Sequence, residues 1–154
     1  MKNPKLPLIE VERSLLRKAK IKFQDIHKFE PAELASVLNG TIQRANELIG
    51  LADFQQVPSI GLKLAEKIVY HLRIYSLREM KEKDGAKLLD ELEVALGVWT
   101  DPCVEDQLRC VIHYANHPDS NKQWFHFTEE RKAFRSVHGY PRTRPSKAWY
   151  ESEA

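Results

Sequence analysis

The sequence predicts an all-α protein, a compact bundle of seven to nine short helices. Apolar residues recur at spacings of three and four along the chain, as they do on the buried face of a helix. Prolines and glycines interrupt this pattern at short intervals and divide it into separate helices. The N-terminal half shows no alternation of apolar and polar residues, which a half-buried strand would require. With 154 residues, the chain can bury a core without disulfides or metal ions.

The N-terminal half predicts several short amphipathic helices. Pro31 suits the first turn of a helix and therefore splits the apolar pattern of residues 23–38 into two parts. The sequence Asn39-Gly40-Thr41 ends the second part and offers a cap for the next helix. The predicted helices cover about 8–19, two segments within 23–38, 42–54, and the stretch from Leu62 to about Leu72.

Helices continue after residue 76. The stretch from Ser76 to Glu79 has the form of a capping box that opens a short helix. Asp101 followed by Pro102 has the form of a cap and a first-turn proline. The predicted helices begin near Leu77, then cover about 88–96 up to Gly97, and then about 102–116 up to His117.

A weak internal repeat has a period of 54 residues. Shifting the sequence by this period superposes Phe23 on Leu77, Ile26 on Met80, Pro31 on Gly85, Leu34 on Leu88 and Leu38 on Leu92. Such a copy predicts tandem helical units, each too small to bury its apolar face alone. Chance similarity between two pairs of amphipathic helices would produce the same pattern.

The stretch between helix 42–54 and the next helix carries the clearest functional signal. Pro58 cannot extend a helix and biases the residue before it away from the α region. Gly61 is predicted to allow a backbone turn that few residues adopt. Unpaired N–H groups and the positive end of the helix dipole at the next helix favour an anion. The alternative is a packing corner that only joins two helices.

The order of an apolar residue, Pro58, a small residue, Ile60 and Gly61 resembles the helix-hairpin-helix motif. In that family, the hairpin amides and the N-terminus of the second helix hold a nucleic-acid phosphate. Ser59 stands where the family usually has glycine, so a Cβ raises the cost of a positive φ there. The resemblance implies that the DNA-binding residues are Pro58, Ser59, Ile60, Gly61, Lys63 and Lys67, with the amides near Ile60, Gly61 and Lys63 facing the phosphate.

A second resemblance lies further along the chain. It is carried by Asp101-Pro102-Cys103, Arg109-Cys110-Val111, Tyr114-Ala115 and Trp124-Phe125-His126-Phe127. These residues are similar to those of the pathogenicity-locus family, short bacterial helix-hairpin-helix proteins of which some are labelled mitomycin-resistance-like. The resemblance covers roughly residues 50–127. It implies a fold and DNA binding, and it implies no reaction.

The resemblance also suggests how the chain is divided. We expect a helical domain over residues 1–127, with the helix-hairpin-helix centred on 51–72 and the cysteine-containing helix near 102–116, and a basic C-terminal extension over 128–154. Basic and aromatic residues alternate in the extension, which suits an arm that contacts nucleic acid. A solvated or loosely docked tail is the alternative. Pro141 and Pro145 argue against a helix in the extension, and we expect removal of residues 136–154 to leave the helical fold intact and to weaken DNA binding.

Cysteine, histidine and aromatic residues in the C-terminal third suggest other sites. The set Cys103, Cys110, His113 and His117 occupies one helical face, but a helix rises about 21 Å over fourteen residues, so the outer members cannot share one zinc ion. We expect reduced, largely buried, metal-free thiols. The alternatives are a zinc site and a reactive thiolate at Cys103. The aromatic residues Trp124, Phe125 and Phe127 are expected to seal the core, with base stacking as the alternative.

The charge distribution and the absence of known enzyme motifs restrict the classes of function that the sequence allows. The net charge of +2 is too small for bulk attraction of polyanions. Local charge is uneven, because residues 1–28 hold eight basic and three acidic side chains, 76–107 hold four and nine, and 108–154 hold eight and five. No phosphate-binding glycine loop, nucleophile elbow, paired-histidine metalloprotease motif or nuclease carboxylate cluster is present. No signal-peptide core or membrane-length apolar span is present either, which predicts a cytoplasmic protein.

We therefore expect a non-catalytic, sequence-independent DNA-binding protein without a cofactor and without membrane association. A link to DNA repair or to mitomycin resistance follows from the family resemblance. The second hypothesis is a protein–protein interaction module that uses the same helical fold, and the third is a cysteine-dependent redox or metal protein. The sequence leaves the oligomeric state open.

Overall fold

The all-α class is confirmed. The computed structural model describes residues 2–151, and over this range the only extended pairing is an isolated parallel bridge between Trp99 and Ala148. The α-helices are α1 (Glu10–Lys18), α2 (Pro31–Leu38), α3 (Ile42–Phe54), α4 (Leu62–Glu66), α5 (Leu77–Met80), α6 (Gly85–Leu96), α7 (Cys103–Asn116) and α8 (Thr128–His138). Two 3-10 segments, Phe23–Lys28 and Trp124–Phe127, and a π-helical segment, Lys67–His71, complete the helical structure.

Two compact units divide the chain. Unit 1 contains residues 2–56 and 61–77, and unit 2 contains residues 57–60 and 78–151. The sequence predicted a different division, with one domain over 1–127 and an extension after it. No helix within residues 2–151 combines the length and the apolar composition that crossing a membrane requires.

Unit 1 is built around α3. This helix packs against α2, α4 and the 3-10 segment Phe23–Lys28, and α1 packs against α2. The side chains of Leu48, Leu51 and Phe54 on α3 are fully buried, which is the apolar face that the sequence pattern predicts. Full burial of each such side chain stabilises the fold by roughly 1.5 to 3 kcal/mol relative to leaving it exposed.

The last helix of unit 1 changes its winding part of the way along. Helix α4 runs without interruption into the π segment, where the Leu72 N–H donates to the Lys67 carbonyl at 3.3 Å, five residues earlier. The predicted core positions are buried, namely Leu64, Ala65, Ile68 and Val69. Leu72, predicted on the same face, lies just past the π segment and is only half-buried.

An ion pair fixes α1 within unit 1. The Arg44 guanidinium donates from Nε to Glu12 Oε2 and from Nη2 to Glu12 Oε1, each at 2.9 Å. A second Nη2 bond reaches the Pro7 carbonyl at 2.8 Å, and the Ile9 N–H donates to Glu12 Oε1 at 3.0 Å. This two-point geometry is the strong form of an arginine–carboxylate pair. The hydrogen bond from Arg44 lowers the pKa of Glu12 below its ordinary value.

Replacing Glu12 with glutamine should therefore destabilise unit 1 in a pH-dependent way. Because the folded-state pKa of Glu12 lies below the unfolded value, the ionised side chain stabilises the fold above the unfolded pKa of about 4.3, and this contribution disappears as the pH falls through the folded pKa. We expect a loss of about 1.5 to 3 kcal/mol at pH 7, as for hydrogen bonds to charged groups. Urea unfolding at pH 7 and pH 3 checks this result. An equal loss at both values would contradict it.

Unit 2 is built around α7. Helix α7 packs against α6, α8 and the 3-10 segment Trp124–Phe127, and that segment also contacts α8. The fully or almost fully buried side chains of the two central helices are Leu88, Leu89, Leu92, Leu108 and Val111. A Cβ built on Gly85 would lie 2.6 Å from Arg109 Cγ, so the start of α6 approaches α7 more closely than alanine would allow.

Helix ends follow the predicted signals. The Thr41 hydroxyl accepts from the Arg44 N–H at 3.0 Å, and Asp84 Oδ1 accepts from the Lys87 N–H at 3.1 Å. Gly97 ends α6 with a φ of +73°. The period of 54 residues also separates two pairs of element starts, Phe23 from Leu77 and Pro31 from Gly85. The tandem arrangement and the helix-hairpin-helix designation stay predictions.

Three local predictions are wrong. Gly61 adopts a φ of −110° and a ψ of −168°, which is extended backbone open to any residue. The positive φ of the turn, +68°, lies at Ser59, where the family usually has glycine. Pro141 and Pro145 do not prevent a helix in the C-terminal region, because α8 ends at His138, ahead of both. Phe125 does not seal the core, because it is 49% exposed, whereas Phe127 is buried.

Candidate functional site

The six predicted DNA-binding residues are divided between the units. Pro58, Ser59 and Ile60 belong to unit 2, and the residues of unit 1 are Gly61, Lys63 and Lys67. The two groups have different environments, so each is described within its own unit.

In the turn of unit 2, residues 57–60, a backbone N–H that was predicted to face a phosphate donates a hydrogen bond within the turn. The Ile60 N–H donates to the Val57 carbonyl at 3.1 Å, and the Ile60 side chain is fully buried. The Ser59 hydroxyl accepts a hydrogen bond from the Trp124 N–H at 2.9 Å. This bond helps to explain why a residue with a Cβ is held at positive φ, and it ties the turn to the 3-10 segment Trp124–Phe127. The Ile60 N–H is therefore not available to an anion.

Two substitutions separate the backbone strain at Ser59 from its hydrogen bond. Ser59→Ala and Ser59→Gly both remove the hydroxyl, but only glycine adopts positive φ without a steric penalty. We expect the alanine variant to unfold with a free energy about 1 kcal/mol lower than that of the glycine variant. Urea unfolding measures the difference. Equal stabilities, or a more stable alanine variant, would show that the left-handed conformation is not adopted.

The start of α4 in unit 1 is open to solvent. Gly61 occupies the N-cap position, no side chain caps it, and nothing lies within 4 Å of a Cβ built there. Among the described residues, no acceptor faces the N–H groups of Gly61, Leu62 and Lys63. These are the unpaired donors that every helix start presents, and here no side chain satisfies them.

Two lysines lie on this helix one turn apart. Lys63 is exposed, Lys67 is half-buried, and neither forms an ion pair with any residue of the described chain. Their spacing of four residues places them on the same face of the helix. The start of α4 thus combines open N–H donors, the positive end of a helix dipole and two cationic side chains, which together favour an anion.

Unit 2 contains three fully buried carboxylates that the sequence did not reveal as a group. They are Glu93 on α6 and Glu105 and Asp106 in the first turn of α7. Buried carboxylates need paired charges and hydrogen bonds, because desolvation of an unpaired charge costs several kcal/mol. Arginines supply these partners, and three of the four come from the region predicted as an extension: Arg109, Arg131, Arg135 and Arg144.

Arg135 makes the largest set of these contacts. Its Nε donates to Glu105 Oε1 at 2.8 Å, and its Nη2 donates to Asp90 Oδ1 at 3.1 Å. Two backbone carbonyls, those of Gly139 and Ala86, accept the remaining bonds at 3.0 and 3.2 Å. The side chain is only 7% exposed. Arg109 holds the other oxygen of Glu105 at 2.9 Å, so both oxygens of that carboxylate are engaged.

Arg131 and Arg144 bind the other two carboxylates through both oxygens. Arg131 donates from Nε to Asp106 Oδ1 at 2.8 Å and from Nη2 to Oδ2 at 3.2 Å. Arg144 donates to the two oxygens of Glu93 at 2.8 and 3.2 Å. The Thr100 N–H also donates to Glu93 Oε2, at 2.7 Å. These carboxylates are thus structural anchors whose oxygens are all occupied.

A sequence signal for this network existed. Glu105 and Asp106 follow a helix cap, where acidic residues interact well with the dipole, and Arg131 and Arg135 are spaced to lie on one helical face. Which arginine meets which carboxylate depends on tertiary packing over 25 to 51 positions.

Burial raises the pKa of both cysteine thiols. Cys110 is buried, and burial raises its pKa to about 11. Cys103 is only half-buried, against the expectation of two buried thiols, and desolvation with nearby Asp101 raises its pKa rather than lowering it. The raised pKa of Cys103 argues against the low-pKa thiolate alternative. No group of three or more metal-ligating side chains occurs among residues 2–151.

Comparison with known proteins gives two matches. Residues 48–133, more than half of the chain, match the family model described as pathogenicity locus, Cdd1. The mitomycin resistance protein McrB of Streptomyces lavendulae is 23% identical over 91 residues, a region that covers 59% of this chain and 85% of that protein. No solved structure gives a match. The sequence, the helical units and the matched region agree: the chain belongs to the pathogenicity-locus family.

Proposed function

We propose that the protein is a non-catalytic DNA-binding protein that contacts phosphates without sequence preference through the start of α4. The observation that carries this proposal is the open helix start, where the N–H groups of Gly61, Leu62 and Lys63 have no acceptor within the described chain. Lys63 and Lys67 add positive charge on one face of the same helix. Backbone amides and lysines recognise phosphate but not base identity, so the contact would position DNA without reading its sequence.

The comparisons support a role connected with mitomycin resistance. The relative from Streptomyces lavendulae bears the name mitomycin resistance protein. We propose a corresponding link to mitomycin resistance or DNA repair for this chain. The protein would bind damaged or undamaged duplex through its phosphates and leave chemical steps to other proteins.

Charge reversal at Lys63 tests the proposal. Titration of a fluorescein-labelled duplex, followed by anisotropy, should show weaker binding by Lys63→Glu for every duplex sequence. Loss of one phosphate contact should flatten the slope of log affinity against log salt by roughly one unit. Stability should change little, because Lys63 is exposed and forms no ion pair with the described residues.

A matched variant controls for bulk charge. Lys87 is exposed on α6 of unit 2, in the acidic middle of the sequence, and only its backbone N–H is used by the Asp84 cap. Lys87→Glu makes the same change in net charge and should leave affinity and salt slope close to the parent values. If Lys63→Glu behaves like Lys87→Glu, the start of α4 does not bind DNA.

A protein–protein interaction module is the second candidate function. It is favoured by exposed apolar side chains in unit 1: Ile9 and Val11 are each 62% exposed, and Ile42 is 60% exposed. Side chains of this kind are common at interfaces when they form a contiguous patch. This candidate leads if the Lys63 variant retains full affinity for duplex DNA.

A further inference from the structure

Two large aromatic side chains near the end of unit 2 are exposed. Trp149 is 52% exposed and Tyr150 is 66% exposed. Burial of an aromatic side chain is strongly favourable, and a pair of neighbouring exposed aromatic rings is therefore a feature that needs an explanation. The start of α4 belongs to unit 1, so the function proposed above makes no use of these rings.

The backbone that carries the two rings is firmly held within unit 2. The Trp99 N–H donates to the Lys147 carbonyl at 2.9 Å, and the Trp149 N–H donates to the Trp99 carbonyl at 2.8 Å. Ala148, between these bonds, is 1% exposed. A turn follows, in which the Glu151 N–H donates to the Ala148 carbonyl at 3.0 Å. The rings therefore project from an ordered segment, which lowers the entropy lost when a ligand binds.

The rings contact one another in T-shaped geometry, with an edge against a face. The Tyr150 and Trp149 ring centres are 5.7 Å apart with an interplanar angle of 89°, and those of Tyr150 and Trp99 are 5.7 Å apart at 86°. In such an arrangement, one ring of each pair presents its edge, and no parallel ring covers Trp149 or Tyr150 among the described residues. A planar group can therefore stack on an exposed face.

The charge around the rings is positive. Residues 139–151 contain Arg142, Arg144 and Lys147 against a single acidic residue, Glu151. Arg144 is used by Glu93, whereas Arg142 is exposed and has no ion pair with any described residue. A flat aromatic surface on a segment that also carries an unused cationic side chain matches the requirements of a nucleobase attached to a phosphodiester backbone.

From this combination we propose that Trp149 and Tyr150 form a stacking platform for an unpaired nucleobase, so that unit 2 binds single-stranded nucleic acid. A base within a duplex is already stacked on its neighbours, and its extrusion costs a few kcal/mol. The platform therefore favours single strands, gaps and frayed ends over continuous duplex. The proposal shares with the proposed function only the ligand class, because its residues lie in unit 2 and the start of α4 lies in unit 1.

The test compares one labelled strand in two states. A fluorescein-labelled single strand of mixed sequence, and the same strand annealed to its complement, are titrated with the full chain and with Trp149→Leu. Stacking of one base on an aromatic side chain corresponds to about a 5- to 150-fold change in affinity. We expect a loss in this range for the single strand and little change for the duplex. Trp149→Phe should keep most of the single-strand affinity, because phenylalanine retains a flat face.

A control and a salt series make the outcome decisive. Phe125 is 49% exposed in the same unit, and Phe125→Leu should leave single-strand affinity unchanged. The defect of Trp149→Leu should persist at high salt, whereas a defect caused by lost phosphate contacts shrinks as salt weakens those contacts in the parent. An unlabelled single strand should also quench the tryptophan fluorescence of the parent, and this measurement needs no variant.

Each result has a defined meaning. Equal single-strand affinity of Trp149→Leu and the parent, or no binding and no quenching in the parent, overturns the stacking platform. Loss of self-association in Trp149→Leu together with unchanged single-strand affinity would assign the rings to a protein interface and also overturn it. A Lys63→Glu variant that binds duplex normally would remove the function proposed for α4 and leave the platform standing.

Discussion

Replacing Arg135 with methionine should lower the free energy of unfolding by about 3 to 5 kcal/mol, the range for removing one partner of a buried ion pair. Methionine keeps much of the length and apolar contact of the arginine, so the loss reports mainly on the guanidinium. Asp90 would lose its partner, and Glu105 would keep only Arg109. The carbonyls of Gly139 and Ala86 would also lose a donor. Urea unfolding measures the change.

A lysine on the same helix is the control for Arg135. Lys132 pairs with Glu129 at 3.6 Å, but both side chains are largely exposed. Exposed pairs contribute about 0 to 1 kcal/mol, so Lys132→Met should leave stability almost unchanged. Combining Arg135→Met with Glu105→Gln should cost less than the sum of the two single changes, because the two groups share one interaction. Additive losses would show that Arg135 stabilises unit 2 through its other contacts.

Ending the chain after His138 should destabilise unit 2 by at least about 3 kcal/mol, because Glu93 would stay buried without its arginine. Arg144 holds both oxygens of Glu93, and the Trp99–Ala148 bridge holds the segment that carries it. The sequence led us to expect that residues 136–154 could be removed without harm to the helical fold. Because of the Arg144 and Ala148 contacts, we now expect the opposite result.

Neutralising Glu93 should have opposite effects in the full and shortened chains. In the full chain, Glu93→Gln breaks the pair with Arg144 and should lower the urea midpoint. In the shortened chain, the same substitution removes an uncompensated buried charge and should raise the midpoint, since glutamine can still accept from the Thr100 N–H. If the shortened chain and the full chain have the same urea midpoint, Arg144 does not anchor the C-terminal segment.

Helix start and stop signals in the sequence predicted most of the fold. The cap at Thr41, the end of α6 at Gly97, and the start of α7 after Asp101 and Pro102 all depend on chemistry within four residues. Such helix ends can be predicted from sequence because the capping groups and the helix they cap are neighbours in the chain. The aspartate cap that starts α6 at Gly85 was not predicted. The 3-10 segment Phe23–Lys28 differs from the predicted helix only in winding, whereas the 3-10 segment Trp124–Phe127 was not predicted.

The mistaken predictions share a cause in distant contacts. An unusual turn conformation was predicted at Gly61 because glycine adopts such conformations most easily, yet the positive φ lies at Ser59, whose hydroxyl meets the Trp124 N–H, 65 positions away. The C-terminal region was predicted to be an extension because it lies beyond the family resemblance and contains prolines, and its arginines were assigned to an arm that contacts nucleic acid. In the structure, three of those arginines neutralise carboxylates that no local pattern marks as buried.

The candidate site was only partly predictable for the same reason. Lys63 and Lys67 were identified because their spacing and the helix start are local features. The use of the Ile60 N–H by the Val57 carbonyl depends on the exact form of the turn, which residue types alone do not specify. Base stacking was considered for Trp124, Phe125 and Phe127, whereas the exposed pair Trp149 and Tyr150 was noted only as part of a basic and aromatic arm.

The π-helical segment Lys67–His71 has a consequence for aligning relatives of this protein. A π turn holds one residue more than the α turn it replaces, so it is the structural form of a single-residue insertion. Tyr70 lies within the segment and is exposed, whereas Ile68 and Val69 before it and Ile74 after it are buried. A relative that is one residue shorter here can close the same helix as regular α and keep its core positions in phase. A one-residue alignment gap near this helix therefore belongs within residues 67–71 rather than in the turn before α4.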